Sequence, residues 1–249
     1  EQRCNTAVYV LSRISGEGND RAVAPGDVLL SESEKRDILA LREMYPVFLL
    51  VLNVGGPVDL GPVADTVEDI LLLGQLGTET GTVLADILLG RSYPSGKLTT
   101  SWANPADFCP AAEFGNPEET AYREGIYVGY RYFDSAGRAP LFPFGFGLGY
   151  TNFQVKAGEV ALAGDLVTVS AQVRNTGAFP GKEVVQLYLS SPWGELDRPY
   201  QELAAFAKTR ELAPGESCRM ELSFHLADMA GFSQERQAYL LEKGDYVLR

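Results

Sequence analysis

Glu17 stands between two glycines in the run Ser15-Gly16-Glu17-Gly18-Asn19-Asp20-Arg21. Glycine lets the backbone take conformations that other residues resist, so this spacing places a lone carboxyl at the tip of a tight loop. The loop follows an apolar, strand-like run, Ala7-Val8-Tyr9-Val10-Leu11. Open α/β sheets place their chemistry in loops at the C-terminal ends of their strands. A carboxyl projected into a pocket from a fixed scaffold can give or take a proton, which is general acid/base chemistry. The same pattern also describes an ordinary solvated turn, and the residues alone leave both readings open. Asp20 and Arg21 read as a pair or as braces of the loop. Ser15 reads as a turn serine that can reach Glu17 or a hydroxyl of a ligand.

Other residue types offer less. His225 is the sole histidine and sits in the alternating run Met220 to Leu226, which reads as a strand with a partly exposed histidine. One histidine makes neither a His-based triad nor a His-rich metal site. Cys4, Cys109 and Cys218 are odd in number and far apart. They form neither a disulfide framework nor a zinc pattern, so no metal site is expected and a reducing compartment such as the cytoplasm is favoured. The run Gly145-Phe146-Gly147-Leu148-Gly149 lacks the GxGxxG spacing and no helical pattern follows it, which argues against nucleotide binding. Glu79 falls in the first turn of a helix, where a carboxylate suits the macrodipole. Asp59 reads as a loop or helix-cap residue. Trp102, Trp193, Tyr127, Tyr130 and Tyr132 could stack on sugars, but packing is the plainer role for aromatics.

These residues need elements to hold them. The 249 residues suffice for about two domains, and an apolar fraction of 45% is enough for a core. A formal charge of −12 argues against nucleic acid and anionic membrane as partners. No apolar run is long and clean enough to span a bilayer, and the N-terminus lacks a signal-peptide layout. After the first strand, Ser31-Glu32-Ser33-Glu34 reads as a capping box opening a helix with apolar residues at Ile38, Leu39 and Leu41. Val47 to Leu52 is a continuous apolar run, as expected of a strand buried on both faces. Asn53-Val54-Gly55-Gly56-Pro57 closes it. A short segment begins at Val63–Asp65, Ile70 to Leu73 reads as another strand, and Thr78 to Leu89 as a helix ending near Gly90. This βαβ rhythm predicts a mostly parallel sheet covered by helices.

The pattern changes at Pro94. From there to Tyr150 the chain is rich in Gly, Pro and aromatic residues and reads as an ordered connector. From Thr151 onward, β-rich segments at Leu166–Val173, Glu183–Leu189, Glu202–Lys208, Ser217–Leu226 and Tyr246–Leu248 alternate with turn residues. That spacing predicts a β-sandwich of immunoglobulin or fibronectin type.

Read together, these runs resemble family 3 glycoside hydrolases of the β-glucosidase type. Val10 to Arg21 is similar to that family's acid/base loop, and Leu52-Asn53-Val54-Gly55-Gly56-Pro57 to its strand-end motif. Gly77 to Gly81, Ala85 to Gly90 and Pro94 to Leu98 resemble its glycine-glutamate helix start and the loop beyond. Tyr122 to Asp134 and Phe142 to Thr151 resemble two further signatures. Val173 to Gly177 and Gly181 to Tyr188 look like its fibronectin type III-like domain. There are departures: Leu98-Thr99-Thr100-Ser101-Trp102 lacks the proline usual after the leucine, and Thr78 and Thr80 replace glutamine and glycine.

The resemblance implies a fold of two classes, α/β followed by all-β. Residues 1–104 would be the C-terminal part of an α/β sandwich domain, 105–150 the connector and 151–249 a fibronectin type III-like β-sandwich. The family's (β/α)8 barrel, with its aspartate nucleophile, has no counterpart in these residues. The chain is therefore expected to be a piece of a larger enzyme, with the first strands of the sandwich domain lacking and the end falling within the final strand. Retaining glycosidases use two carboxyl groups roughly 5–5.5 Å apart, one as nucleophile and one as acid and then base. The resemblance implies that Glu17 is the acid/base, supported by Ser15, Asp20 and Arg21. It also implies a β-glucoside or oligosaccharide substrate, no cofactor, and a barrel-bearing polypeptide of the same enzyme as partner. Alone, the chain is expected to be inactive, and to be poorly soluble or to self-associate as a homo-oligomer. The competing function is a non-catalytic carbohydrate-binding or scaffold module. A flavodoxin-like nucleotide domain accounts for the first half only.

Overall fold

The computed structural model describes residues 4–14, 18, 20–109 and 118–249. Among them the chain forms two compact units. The first holds the residues up to Ser92, together with those of Ser101–Arg123 and Pro140–Phe142; the second holds Tyr93–Thr100, Glu124–Ala139 and Pro143–Arg249.

The first unit is built on a parallel sheet of three strands in the order β1 (Thr6–Ser12), β2 (Val47–Asn53), β3 (Ile70–Leu72). β1 and β2 run in register from Thr6 beside Val47 to Ser12 beside Asn53. Successive side chains of a strand point to opposite faces, yet Leu50, Val51 and Leu52 are all buried. Both faces of β2 are therefore covered, which is why its sequence is unbroken by polar residues. The crossover between β1 and β2 is α1 (Glu32–Met44). Its capping box closes in both directions: the Glu34 N–H donates to Ser31 Oγ at 3.3 Å, and the Ser31 N–H donates to Glu34 Oε2 at 2.8 Å. Ile38 anchors the helix and is fully buried, whereas Leu39 is exposed. After β2 come a single turn, α2 (Gly61–Ala64), then β3 and α3 (Thr80–Leu88). The helix expected from Thr78 enters through a 3-10 turn, Gly77–Glu79, and ends at Gly90, whose φ of +68° suits glycine.

The aromatic stretch is more structured than its composition suggested. Trp102 exchanges two backbone hydrogen bonds with Phe142 inside the first unit and is buried there. In the second unit, α4 (Tyr130–Ser135) forms where no helix was expected. Gly129 at φ +57° admits the chain to this short helix, and the buried Phe133 holds it down. Tyr130 stacks on Phe144 with centroids 4.6 Å apart and meets the edge of Tyr188.

The strands of the second unit are β4 (Phe153–Ala163), β5 (Leu166–Asn175), β6 (Val184–Ser190), β7 (Glu202–Lys208), β8 (Ser217–His225), β9 (Gly231–Ser233), β10 (Ala238–Leu240) and β11 (Val247–Leu248). They pair antiparallel as β4-β5-β8, as β11-β6-β7 and as the hairpin of β9 with β10. Alternate residues of β5 (Val167, Val169, Ala171, Val173), β6 (Val185, Leu187, Leu189) and β8 (Leu222, Phe224) form one buried cluster with Leu212. Asn175 closes it from within: its Nδ2 donates to the Phe179 and Leu212 carbonyls, and its Oδ1 accepts from Thr151 Oγ1 and the Gly177 N–H. β4 was not expected from the sequence. Its pairing with β5 is interrupted by a bulge between Ala157 and Val160, where the Glu159 N–H turns to Ser170 Oγ. The bulge destroys the two-residue alternation by which a strand is recognised. Among the described residues no helix is long and apolar enough to cross a membrane.

Candidate active site

Of the residues that the sequence nominated, Ser15 and Glu17 lie outside the described residues, as do Gly16 and Asn19. The structure does describe what stands at the two ends of their segment. β1 delivers Arg13 just past its last residue, where the Arg13 N–H continues the ladder by donating to the Asn53 carbonyl at 3.2 Å. The Arg13 side chain then turns inward and is 6% exposed. Two of its nitrogens grip the Glu34 carboxylate at 2.8 and 2.9 Å. Nε donates to the Asp27 carbonyl at 2.7 Å, and Nη1 also reaches the Ser12 carbonyl at 2.9 Å. The Arg13 carbonyl accepts from Gln75 Nε2 at 3.3 Å. Glu34 therefore serves two masters, the cap of α1 and the arginine that ends β1.

On the far side of the segment, Arg21 engages Asp27 rather than Asp20. Arg21 Nε donates to Asp27 Oδ1 at 2.7 Å, and the neighbouring Ala22 N–H donates to Asp27 Oδ2 at 2.6 Å. Arg21 Nη1 donates to the Pro57 carbonyl at 2.6 Å. The strand-end motif of β2 makes that contact possible. A Cβ on Gly56 would lie 3.0 Å from Arg21 Nη1, so the small residue there clears the path to Pro57. Arg21 Nη2 is buried, with no hydrogen-bond partner among the described residues. Asp20 is exposed.

The electrostatics follow from this geometry. Burial pushes the Asp27 carboxyl up, but the Ala22 N–H and the Arg21 and Arg13 guanidiniums outweigh it and hold it below the usual carboxylate range. Glu34 behaves alike: burial raises it, while Arg13 and the Ser31 N–H bring it below its ordinary value. Both carboxylates are thus fixed as anions and serve as acceptors, leaving neither as a proton donor near neutral pH. Burial together with Glu34 and Asp37 raises the Tyr9 phenol on β1.

The remaining candidates stand apart from this cluster or support it. Asp59 is buried and accepts from the Gly61 N–H at the start of α2 and from Asn104 Nδ2 at 3.1 Å. Glu79 is exposed ahead of α3. His225 is exposed at the end of β8, with Asp165 3.2 Å from its Nδ1. Tyr127 donates to Asp197, which together with burial pushes its phenol up to about 12. Trp193 is not packed at all. It is 86% exposed on the turn after β6, where the Glu242 carboxylate ties down the following Glu195 and Leu196 amides. The 145–149 run does not open a helix but pairs with 97–98, and Lys97 Nζ donates to the Gly147 carbonyl. Among the described residues no group of three His, Cys, Asp or Glu could hold a metal ion. Sequence reasoning missed Arg13, Asp27 and Glu34 as a set. Only Glu34 carried a signal, and that signal announced a helix cap.

Comparison with known proteins shows the family. Residues 2–150 match the model of the glycosyl hydrolase family 3 C-terminal domain, and residues 183–249 match a fibronectin type III-like domain. β-Glucosidase A of Butyrivibrio fibrisolvens is 37% identical over 97% of the chain, which covers 35% of that protein. A β-glucosidase of Ruminococcus albus is 35% identical over 98% of the chain, covering 26% of its own length. Among solved structures, β-glucosidase 3B of Thermotoga neapolitana in complex with α-D-glucose superposes with a TM-score of 0.92 at 41% identity, over 98% of this chain and 35% of that one. A β-glucosidase from Paenibacillus barengoltzii gives 0.93 at 36% identity, over 98% and 28%. The chain thus spans about a quarter to a third of the length of these relatives. By its sequence and by both of its units, the chain belongs to glycosyl hydrolase family 3, as part of that family's C-terminal region.

Proposed function

We propose that this chain supplies the general acid/base of a retaining β-glycosidase of β-glucosidase type, and that Glu17 is that residue. The observation that carries the reading is the anchoring of residues 13 and 21 on either side of the Gly-Glu-Gly run. A carboxyl that must meet a glycosidic oxygen repeatedly needs a base that does not drift. In the first step Glu17 protonates the leaving oxygen while an aspartate of a barrel-bearing part of the same enzyme attacks the anomeric carbon. In the second step Glu17 takes a proton from water as that water displaces the aspartate. The relatives are named β-glucosidases, and one was solved with glucose, which supports a terminal β-linked glucoside as substrate. Ser15 and Asp20 are proposed as loop or substrate contacts and Arg21 as loop support.

The test is Glu17→Ala in the complete enzyme. Turnover of an aryl β-glucoside with a poor leaving group is expected to fall by about 10²–10⁴-fold. Azide should then restore turnover of an activated substrate and yield the β-glucosyl azide. Undiminished turnover without azide rescue would instead favour a binding or scaffold role for the chain.

A further inference from the structure

We infer that Asp27 is a positioning residue for the general acid/base, an inference that rests on the role proposed above for Glu17. Asp27 holds both ends of the segment by hydrogen bonds. Its carbonyl accepts from Arg13 at 2.7 Å, before the segment, and its carboxylate accepts from Arg21 and the Ala22 N–H at 2.7 and 2.6 Å, after it. Each anchor is also tied to the sheet or its crossover, Arg13 through Glu34 at the cap of α1 and Arg21 through the Pro57 carbonyl beyond β2. Glu17 is four residues from each anchor, so an extended chain could carry it at most about 14 Å from either. Holding both ends limits the drift of whatever lies between them, whereas releasing one end relaxes that limit.

The chemistry gives a readout that loss of fold would not imitate. A nitrophenolate that departs unaided needs no proton, while a phenol or an alkyl leaving group does. Mispositioning the acid should therefore slow only the second kind, and kcat/KM reports that first bond-breaking step. Asp27→Asn keeps the side-chain shape and the backbone carbonyl but removes the charge that holds Arg21 and Ala22.

In the complete enzyme, Asp27→Asn is expected to lower kcat/KM for phenyl β-glucoside by roughly tenfold to a hundredfold. For 2,4-dinitrophenyl β-glucoside the loss should stay under about threefold, because protonation contributes little there. Azide should give no glycosyl azide with this variant, since Glu17 is still present. An equal loss on both substrates, or none on either, overturns the inference. Glu17→Ala run alongside separates the two ideas. If it shows neither leaving-group dependence nor azide rescue, the acid/base reading itself has failed. If it shows both while Asp27→Asn does not discriminate between leaving groups, only the positioning role has failed. Should Asp27→Asn not fold, Arg21→Lys is scored by the same substrate ratio with the same outcomes deciding, because it keeps the charge but not the second donor to Pro57.

Discussion

Replacing Glu34 by Gln isolates the ion pair that ends β1. The Arg13 and Glu34 side chains are 6% and 18% exposed and meet through two hydrogen bonds of 2.8 and 2.9 Å. Glutamine keeps an oxygen for the Ser31 N–H, so the helix cap is largely spared, but Arg13 is left charged and buried. Breaking such a pair costs about 3–5 kcal/mol. The Ser12 and Asp27 carbonyls still accept from Arg13, which puts the expected loss near the lower end, about 3 kcal/mol. For a domain of this size that corresponds to a drop in Tm of roughly 6–12 °C. The dependence on pH fixes the cause. Glu34 is held below its ordinary value of 4.5 in the folded protein. Its stabilisation is therefore complete above the unfolded value and disappears as pH falls through the lower folded one. The gap between wild type and Glu34→Gln should be full at neutral pH and should close only in acid, as pH falls through the lowered folded-state value. Scanning calorimetry of the complete enzyme, with amide-exchange protection along α1 to assign the transition, measures both. A variant that melts with the wild type at neutral pH, or a gap that persists undiminished in acid, refutes the reasoning.

Two further outcomes test the second unit. Asn175→Ala removes four hydrogen bonds from a fully buried site and should destabilise by about 3 kcal/mol in urea unfolding, because the Phe179 carbonyl loses the amide donor and the Gly177 N–H and Thr151 Oγ1 lose their acceptor, while the Leu212 carbonyl keeps the Gly181 N–H; a loss under about 1 kcal/mol would contradict that count. Gly145→Ala would put a Cβ 2.1 Å from Gln186 Oε1 at φ +78°, so it should cost about 2 kcal/mol or more, while Gly164→Ala at φ +66° in open space should cost only the backbone term of about 1 kcal/mol.

Much of the fold was legible because its signals are local. The unbroken run from Val47 to Leu52 marked a strand covered on both faces, and Ser31 with Glu34 marked the start of α1. The β-rich segments of the second half fell close to β5, β6, β7 and β8. What escaped notice depends on contacts distant in sequence. β4 was hidden by its own bulge, and α4 by an aromatic run whose helical state is set by Gly129 and the burial of Phe133. At the candidate site, the Gly-Glu-Gly spacing pointed to one carboxyl, which lies outside the described residues, but not to the ion pairs at the two ends of its segment. Arg13 meets Glu34 21 residues on and the Asp27 carbonyl 14 residues on, and no periodicity records such meetings. Arg21 was expected to pair or brace the loop beside Asp20; it is Asp27, six residues away, that has the reach to accept from both Arg21 and the next backbone amide.

The irregular stretch in β4 has a consequence for how this chain behaves in company. Among the described residues β4 pairs only with β5, which leaves its other backbone edge unmatched within the sheet, and Val155, Val160 and Leu162 are exposed along it. An open edge of eleven residues is a template on which a stranger's strand can grow. The kink at Gly158 and Glu159, with Lys156 just before it, interrupts that template. An incoming strand would follow the edge for a few residues before its pleat fell out of phase, and the charges would then face it without partners. The same distortion that concealed β4 in the sequence also shortens the regular edge on which another strand could pair.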